Sequence, residues 1–297
     1  RLWGTSYGPG RCNVDPQHVT ADWLTTRLAE VGDLDGTIVE SIEVGESFGS
    51  SSITLTPLKI GYVGTPPAIA PRRLLWKEYI KNWESAGRVE VTLYSDLVRQ
   101  MRSPPVANCY FAQVEEVEAR SFLLLEDISS THVTLPENAT IEDFVQIAET
   151  LADLHARWWD DPRISEPDFL TPQGGPLRMA QINDAETVDD QLTWLTARWD
   201  ETLAERQDVP EDWVGHCGRA GSIWRDAVVS RAVRGQITLI HGDTNAGNVF
   251  LPRHEDGSVR LLDWETYKRG IGVFDVMCLL MSLNDPDRRR SLEQPML

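Results

Sequence analysis

Apolar residues recur along this chain in two rhythms, and the switches between them mark out its elements. After Thr20 the stretch ADWLTTRLAEVG repeats apolar positions every three or four residues and stops at Gly32. That pattern predicts an amphipathic helix with a threonine N-cap. From residue 36 to residue 63 the period shortens to two. Val, Ile, Thr and Leu alternate with polar residues on both sides of GESFGSSS, which predicts two strands joined by a Gly/Ser-rich loop. RRLLWKEY reads as a short strand bearing Lys77, and CYFAQVEEV and SFLLLEDI read as two more. Between them, RVEVTLYSDLVRQM places Val89, Leu93 and Leu97 on one helical stripe with Glu90 beside it. This half is β-rich with one prominent helix.

The character changes near Ser129, and ISSTHVTLPENAT serves as a connection. Thr140 with Asp143 three residues later resembles a capping box that opens a long helix. Ile141, Phe144, Val145, Ala148, Leu151, Ala152 and His155 recur on it at helical spacing, which predicts a continuous buried face. His155 on that face reads as a hydrogen-bonded core histidine rather than a ligand. Residues 160–235 read as helical, with Trp194, Trp199, Trp213 and Trp224 between Pro/Gly breaks. QITLIH and VRLLDW then read as two strands linked by a loop whose EDGS is a turn signal. No internal repeat interrupts this order.

Composition narrows the class. A chain of 297 residues has room for two lobes, and 41% apolar with 25% charged residues is the balance of a globular protein. No apolar run approaches the roughly 18 residues a membrane span needs. The first residues show no charged segment followed by an apolar one, so a secretory leader is not expected. Cys12, Cys109, Cys217 and Cys278 are scattered without a C-x-x-C pair, which reads as free thiols in a reducing cytoplasm. The net charge of −18 argues against nucleic acid or an anionic membrane as partner and is compatible with a cationic small substrate. Nothing marks a self-complementary apolar surface, so a monomer is the expectation.

The densest chemistry lies in LIHGDTNAGNVF, which carries His241, Asp243, Asn245 and Asn248 on one loop after a β-branched strand. Asp263 follows on the next strand, directly after Leu261 and Leu262, where alternation alone would not select a carboxylate. Two carboxylates and an amide are hard oxygen donors suited to Mg²⁺ rather than Zn²⁺, and magnesium so held usually carries substrate phosphates. Phosphoryl transfer needs such parts, together with a base for the attacking hydroxyl and a lysine on the phosphates. The loop has the Asp-to-Asn spacing of the kinase pattern H-R-D-x-x-x-x-N.

LIHGDTNAGNVF followed by LLDWE is similar to the aminoglycoside phosphotransferase and choline kinase-like superfamily, and LLLEDIS, EVTLY and LADLHARWW look most like its ecdysteroid kinase-like branch. The resemblance runs from about Trp23 to Asp275. It implies an α+β, bilobal protein-kinase-like fold, with a β-rich N-terminal lobe over 1–128 and a mainly helical C-terminal lobe over 129–297. It also implies an ATP- and Mg²⁺-dependent small-molecule kinase that transfers the γ-phosphate to a substrate hydroxyl. Asp243 would be the catalytic base, and Asn248 and Asp263 the metal ligands. His241 would brace the loop, and Asp275 would hold its backbone. Lys77, which periodicity alone leaves a solvated lysine, would contact the nucleotide phosphates with Glu90 as its ion-pair partner. Gly45, Gly49, Ser50, Ser51 and Ser52 would cover those phosphates, with a plain hairpin turn as the other reading. The backbone at Glu126, Asp127 and Ile128 would form the hinge that meets adenine. Only 22 residues follow Asp275, where family members continue through further helices.

Other readings remain at this level. One is a nucleotide-binding pseudokinase or interaction module without turnover. Another is a metallohydrolase built on His241 and Asp243, for which nearby histidines are few. A protein kinase is not indicated, because D-F-G and A-P-E segments are absent. The acceptor itself is not readable. Acidic and aromatic residues in 160–235 suit a cation by carboxylate pairing and cation–π contact, and equally suit ordinary helix packing.

Overall fold

The computed structural model describes residues 19–50, 52–79, 83–116, 120–165, 185–206, 236–254 and 256–296, with positions 210, 215–216, 219, 221–223, 225–227 and 229–230 between them. Cys12, Ser51, Cys217, Trp213 and Trp224 lie outside the described residues. In chain order the elements begin with α1 (Ala21–Val31), β1 (Val39–Val44), β2 (Phe48–Gly49), β3 (Ile53–Tyr62), β4 (Arg73–Tyr79) and α2 (Glu84–Thr92). They continue with β5 (Cys109–Glu115), β6 (Arg120–Glu126), β7 (His132–Thr134), α3 (Ile141–Trp158), α4 (Ala185–Glu205), β8 (Thr238–Ile240) and β9 (Val249–Pro252). Last come β10 (Arg260–Leu261), β11 (Lys268–Gly270), α5 (Val273–Met281) and α6 (Pro286–Glu293). No helix among the described residues is long and apolar enough to cross a membrane.

The chain divides into two compact units, one of residues 1–133 and 250–265, the other of 134–249 and 266–297. The first is built on an antiparallel sheet in the order β1-β3-β4-β6-β5, with β2 paired to β3. Its period-two strands turn one face onto a core of Leu24, Leu28, Leu58, Trp76, Phe111 and Leu124. Trp76 stacks on Phe111 at 6.1 Å between centroids, and Trp23 of α1 meets the same ring edge-on at 5.2 Å. The Thr20 cap forms as the sequence predicts, its Oγ1 accepting from the Trp23 amide at 3.2 Å.

Of the stripe expected at Val89, Leu93 and Leu97, the two leucines are buried as expected and Glu90 takes the place of Val89. Ala86, Glu90, Leu93, Tyr94 and Leu97 are buried and Val89 is only half-buried, so the carboxylate itself faces inward. The helix widens into a π-helical turn over Leu93–Leu97 and ends in a 3₁₀ turn, which is what brings Tyr94 in beside Leu93.

In the second unit, α3 opens on the predicted capping box. The Thr140 amide donates to Asp143 Oδ2 at 2.7 Å, and the Asp143 amide donates to Thr140 Oγ1 at 3.1 Å. Its buried face is Phe144, Ile147, Leu151, Leu154, His155 and Trp158, while Ile141 and Ala152 are exposed. The large side chains set the stripe and the alanines flank it. The two strands expected around the loop are real, but each pairs elsewhere. β8 pairs with β11, and the expected link between the two strands contains β9, which joins β10 and β7 in a three-stranded sheet. β11 escapes sequence reading because its two inward residues are Lys268 and Gly270, neither of which is an apolar signal.

Candidate active site

Strand β4 places Lys77 with its side chain inward, opposite Leu55 of β3 and Leu123 of β6. An ammonium 4% exposed must be paired. It is held by Glu90 Oε2 and by Asp263 Oδ1, each at 2.7 Å. Glu90, 1% exposed, is saturated by three donors: Lys77, the Tyr79 hydroxyl at 2.7 Å and the Trp264 amide at 3.3 Å. Burial would lower the Lys77 pKa, but the charges of Glu90 and Asp263 hold it above its ordinary value. Burial, with the Glu90 charge beside it, pushes the Tyr79 phenol well up, so it stays a donor.

Asp263 sits just past β10 with φ +65°, a left-handed conformation that Asp tolerates better than most side chains. Its side chain remains 33% exposed while Oδ1 serves Lys77. Two positions on, Glu265 has its carboxyl raised to about 7, first by burial and then by the charge of Asp263. A carboxyl whose folded value exceeds its unfolded one is neutral where the unfolded chain is ionised. Stability from it is therefore present below about 4.5 and lost as pH climbs to about 7. We expect Glu265→Gln, without metal or nucleotide, to gain melting temperature relative to the parent between pH 5 and pH 7.5; a difference independent of pH would contradict the shift.

The Gly/Ser loop is exposed and largely self-bonded. The Gly45 amide donates to the Pro57 carbonyl at 2.8 Å, and the Ser50 amide to Ile53 O at 3.0 Å. Ser50 Oγ lies 2.7 Å from Ser52 Oγ. Gly49 has φ +152°, and a Cβ there would meet the Ile53 carbonyl oxygen at 2.2 Å, so no larger residue fits this turn. At the end of β6 the Glu126 amide donates to Asn108 O at 2.8 Å and the Asp127 amide to Arg73 O at 3.3 Å. The Asp127 carboxylate takes the Arg73 Nε at 2.7 Å and the Ser129 amide at 3.0 Å, and Ile128 is buried.

In the second unit, Asp275 on α5 organises the loop after β8. Its Oδ2 accepts from the His241 amide and from His155 Nε2, each at 2.9 Å, and Oδ1 accepts from the Gly242 amide at 2.9 Å. Its carbonyl accepts from Thr244 Oγ1 at 2.5 Å. Burial alone would raise this carboxyl; the His155 hydrogen bond, the neighbouring charges and the Gly242 amide hold it below its ordinary value. Gly242 turns with φ +85°, and a Cβ there would lie 2.4 Å from the Thr266 carbonyl oxygen. His241, fully buried, accepts the Asp243 amide on Nδ1 at 3.3 Å, which makes it a brace.

Asn245 answers to the turn itself: its Oδ1 takes the Gly247 amide at 2.8 Å. Asn248 donates Nδ2 to the Asp243 carbonyl at 2.9 Å and to Asp243 Oδ2 at 3.1 Å, which turns its own Oδ1 away from that carboxylate. Asp243 is half-buried, so its carboxylate is both oriented and reachable.

Among the described residues, no three His, Cys, Asp or Glu side chains gather into a group that could hold a metal ion. Of the two expected metal ligands, Asp263 in the first unit keeps a partly exposed carboxylate, and Asn248 in the second has its Nδ2 engaged by Asp243. A carboxylate and an amide oxygen are each hard donors of the kind Mg²⁺ takes alongside phosphate oxygens. Sequence reading missed three participants. Tyr79 and the Trp264 amide on Glu90 carry no motif, and the Lys77–Asp263 pair spans 186 residues of chain.

Comparison with known proteins meets this geometry. The model of a family described as "Phosphotransferase enzyme family" matches residues 90–294, which takes in Asp243, Asn248, Asp263 and Asp275 and begins after Lys77 and the Gly/Ser loop. No curated protein matches the sequence significantly. Among solved structures, an aminoglycoside phosphotransferase from Streptomyces rimosus is 18% identical with a TM-score of 0.50, covering 92% of this chain and 88% of its own. A choline kinase from Cryptosporidium parvum is 13% identical with a TM-score of 0.50, covering 82% and 63%. APH(2")-IIia, in its GDP and kanamycin complex, is 11% identical with a TM-score of 0.52, covering 92% and 82%. At these identities the likeness establishes the fold, a protein-kinase-like α+β architecture with a β-sheet N-terminal region and a helical C-terminal part.

Proposed function

We propose, for a chain that belongs to the phosphotransferase enzyme family, that it is an ATP- and Mg²⁺-dependent kinase acting on a hydroxyl of a small molecule. The observation that carries this reading is the loop on Asp275: its struts are fixed from within the second unit, and what it presents is one oriented carboxylate, Asp243. Such rigidity is what a general base needs.

The acceptor hydroxyl gives its proton to Asp243 as its oxygen bonds to the terminal phosphorus. The bond from that phosphorus to the bridging oxygen breaks, and the nucleoside diphosphate leaves. Asn248 and Asp263 would hold Mg²⁺, which supplies charge neutralisation on the phosphate oxygens. Lys77, kept charged by Glu90, would steady the nucleotide phosphates. ATP as donor is supported by the kinase pattern of the loop; the GDP bound to the APH(2")-IIia neighbour makes GTP the donor to test beside it. The acidic balance supports an acceptor that carries positive charge.

A nucleotide-binding module without turnover has one specific observation in its favour. The loop that would cover the phosphates spends the Gly45 and Ser50 amides on its own strands' carbonyls. Turnover decides between the two readings. The kinase consumes ATP only with Mg²⁺ and a hydroxyl compound present, in a panel of amino sugars, amino alcohols, sterols and sugar alcohols. ATP binding without consumption across that panel would favour the module.

A further inference from the structure

Beside the base stands a cation without a carboxylate partner among the described residues. Lys268 lies on β11 opposite Ile240 of β8, the residue that leads into the loop. It is 5% exposed, and its Nζ stands 4.9 Å over the Phe274 ring. Its stem packs on the loop, since a Cβ at Gly242 would sit 3.2 Å from Lys268 Cε. Among the described residues, Nζ makes neither an ion pair nor a hydrogen bond.

The nearby acids take their hydrogen bonds from other groups. Asp275 has three donors on its two carboxylate oxygens, and Asp243 Oδ2 accepts from Asn248. Burial pulls the Lys268 pKa down, and Asp275, Cys278 and Asp243 only partly restore it. An ammonium on a side chain so largely buried, with no protein acceptor among the described residues, is best matched by an anion that comes to it.

We propose that Lys268 is an anion-binding residue of the catalytic loop, donating to a non-bridging oxygen of the phosphoryl group under transfer. The assignment rests on the kinase reading above and adds to it a contact on the side of Asp243. It differs from the role given to Lys77, whose charge is already matched by two carboxylates. A phosphoryl oxygen at Lys268 would lie next to the residue that receives the acceptor proton, where a fixed positive charge stabilises developing negative charge.

The test uses inorganic phosphate as the probe, against chloride at constant ionic strength, with melting temperature as the readout for the parent chain and Lys268→Met. Met keeps the straight stem on Gly242 and removes the charge. The parent should melt higher as phosphate is added. Lys268→Met should melt at or above the parent without phosphate, show no phosphate-dependent rise, and lose about 10²- to 10³-fold in kcat, the scale for one preorganised donor.

Equal phosphate shifts in the two proteins, or none in the parent, overturn the proposal. Should Lys268→Met fail to fold, Lys268→Gln takes its place, and a retained shift there overturns it equally. The two layers separate cleanly. A Lys268-dependent phosphate shift in a chain that phosphorylates nothing keeps the anion site and removes the kinase reading. Undiminished turnover in folded Lys268→Met keeps the kinase reading and overturns the anion site.

Discussion

Asp243→Asn is expected to lower kcat by about 10²- to 10⁴-fold while leaving nucleotide binding and melting temperature at parental values. The size follows from what the substitution leaves in place. The residue's amide stays on His241 Nδ1 and its carbonyl stays on Asn248 Nδ2, because both contacts belong to the backbone. The Asn side chain also retains an oxygen that can accept from Asn248 as Asp243 Oδ2 does. What is removed is the carboxylate's charge and with it the basicity. Steady-state rates with an identified acceptor, beside nucleotide titrations followed by melting temperature, check it. A loss of only a few-fold in kcat would sink the assignment of Asp243 as the base.

The second large effect is on stability. Glu90→Ala is expected to cost about 3–5 kcal/mol, the range for removing one member of a buried ion pair. Three donors lose their acceptor at once: the Lys77 ammonium, the Tyr79 hydroxyl and the Trp264 amide. Lys77 keeps Asp263, which limits the loss. The carboxylate that joined all three donors inside the core is nonetheless gone, and Tyr79 and Trp264 are fully buried. Contrast Glu43, whose pair with Lys59 leaves the two side chains 72% and 74% exposed. Solvent and salt screen such a pair to roughly 0–1 kcal/mol, so Glu43→Ala serves as the control. Urea unfolding midpoints measure both. A Glu90→Ala loss no larger than the Glu43→Ala loss would mean that Glu90 is not the anchor its burial indicates.

Much of the scaffold was legible because its signals are local. Thr20 and Thr140 announce helix starts within three residues, and β3 shows period two with Ile and Thr along it. The loop from His241 to Asn248 was legible for a different reason: polar side chains at a strand end are costly, and their spacing matches a known pattern. What stayed hidden is non-local or chemically inverted. The stripe through Val89 looked like the core because it is apolar, yet Glu90 faces inward, since its charge is matched by Lys77 from a strand the helix pattern cannot see.

β11 was missed because a buried lysine and a glycine stand where a strand normally shows valine or isoleucine. The raised Glu265 carboxyl follows from burial and then from the charges of Asp263 and Glu90 of α2, against the opposing charge of Lys77 on β4, a set no local pattern joins. The comparisons reach the phosphotransferase family and the wider fold. The ecdysteroid kinase-like branch remains an expectation of the sequence alone.

The proposed magnesium-dependent nucleotide site would use Asp263, and a melting-temperature titration tests that dependence. The parent chain and Asp263→Asn are titrated with a non-hydrolysable ATP analogue with and without Mg²⁺; Asn is chosen because it tolerates the left-handed backbone at this position. At about 100 times the dissociation constant a ligand adds roughly 2.7 kcal/mol, a readily visible shift. The expected result is a shift in the parent that requires Mg²⁺ and is largely lost in Asp263→Asn. No shift at millimolar nucleotide, or one indifferent to both Mg²⁺ and Asp263, would contradict it.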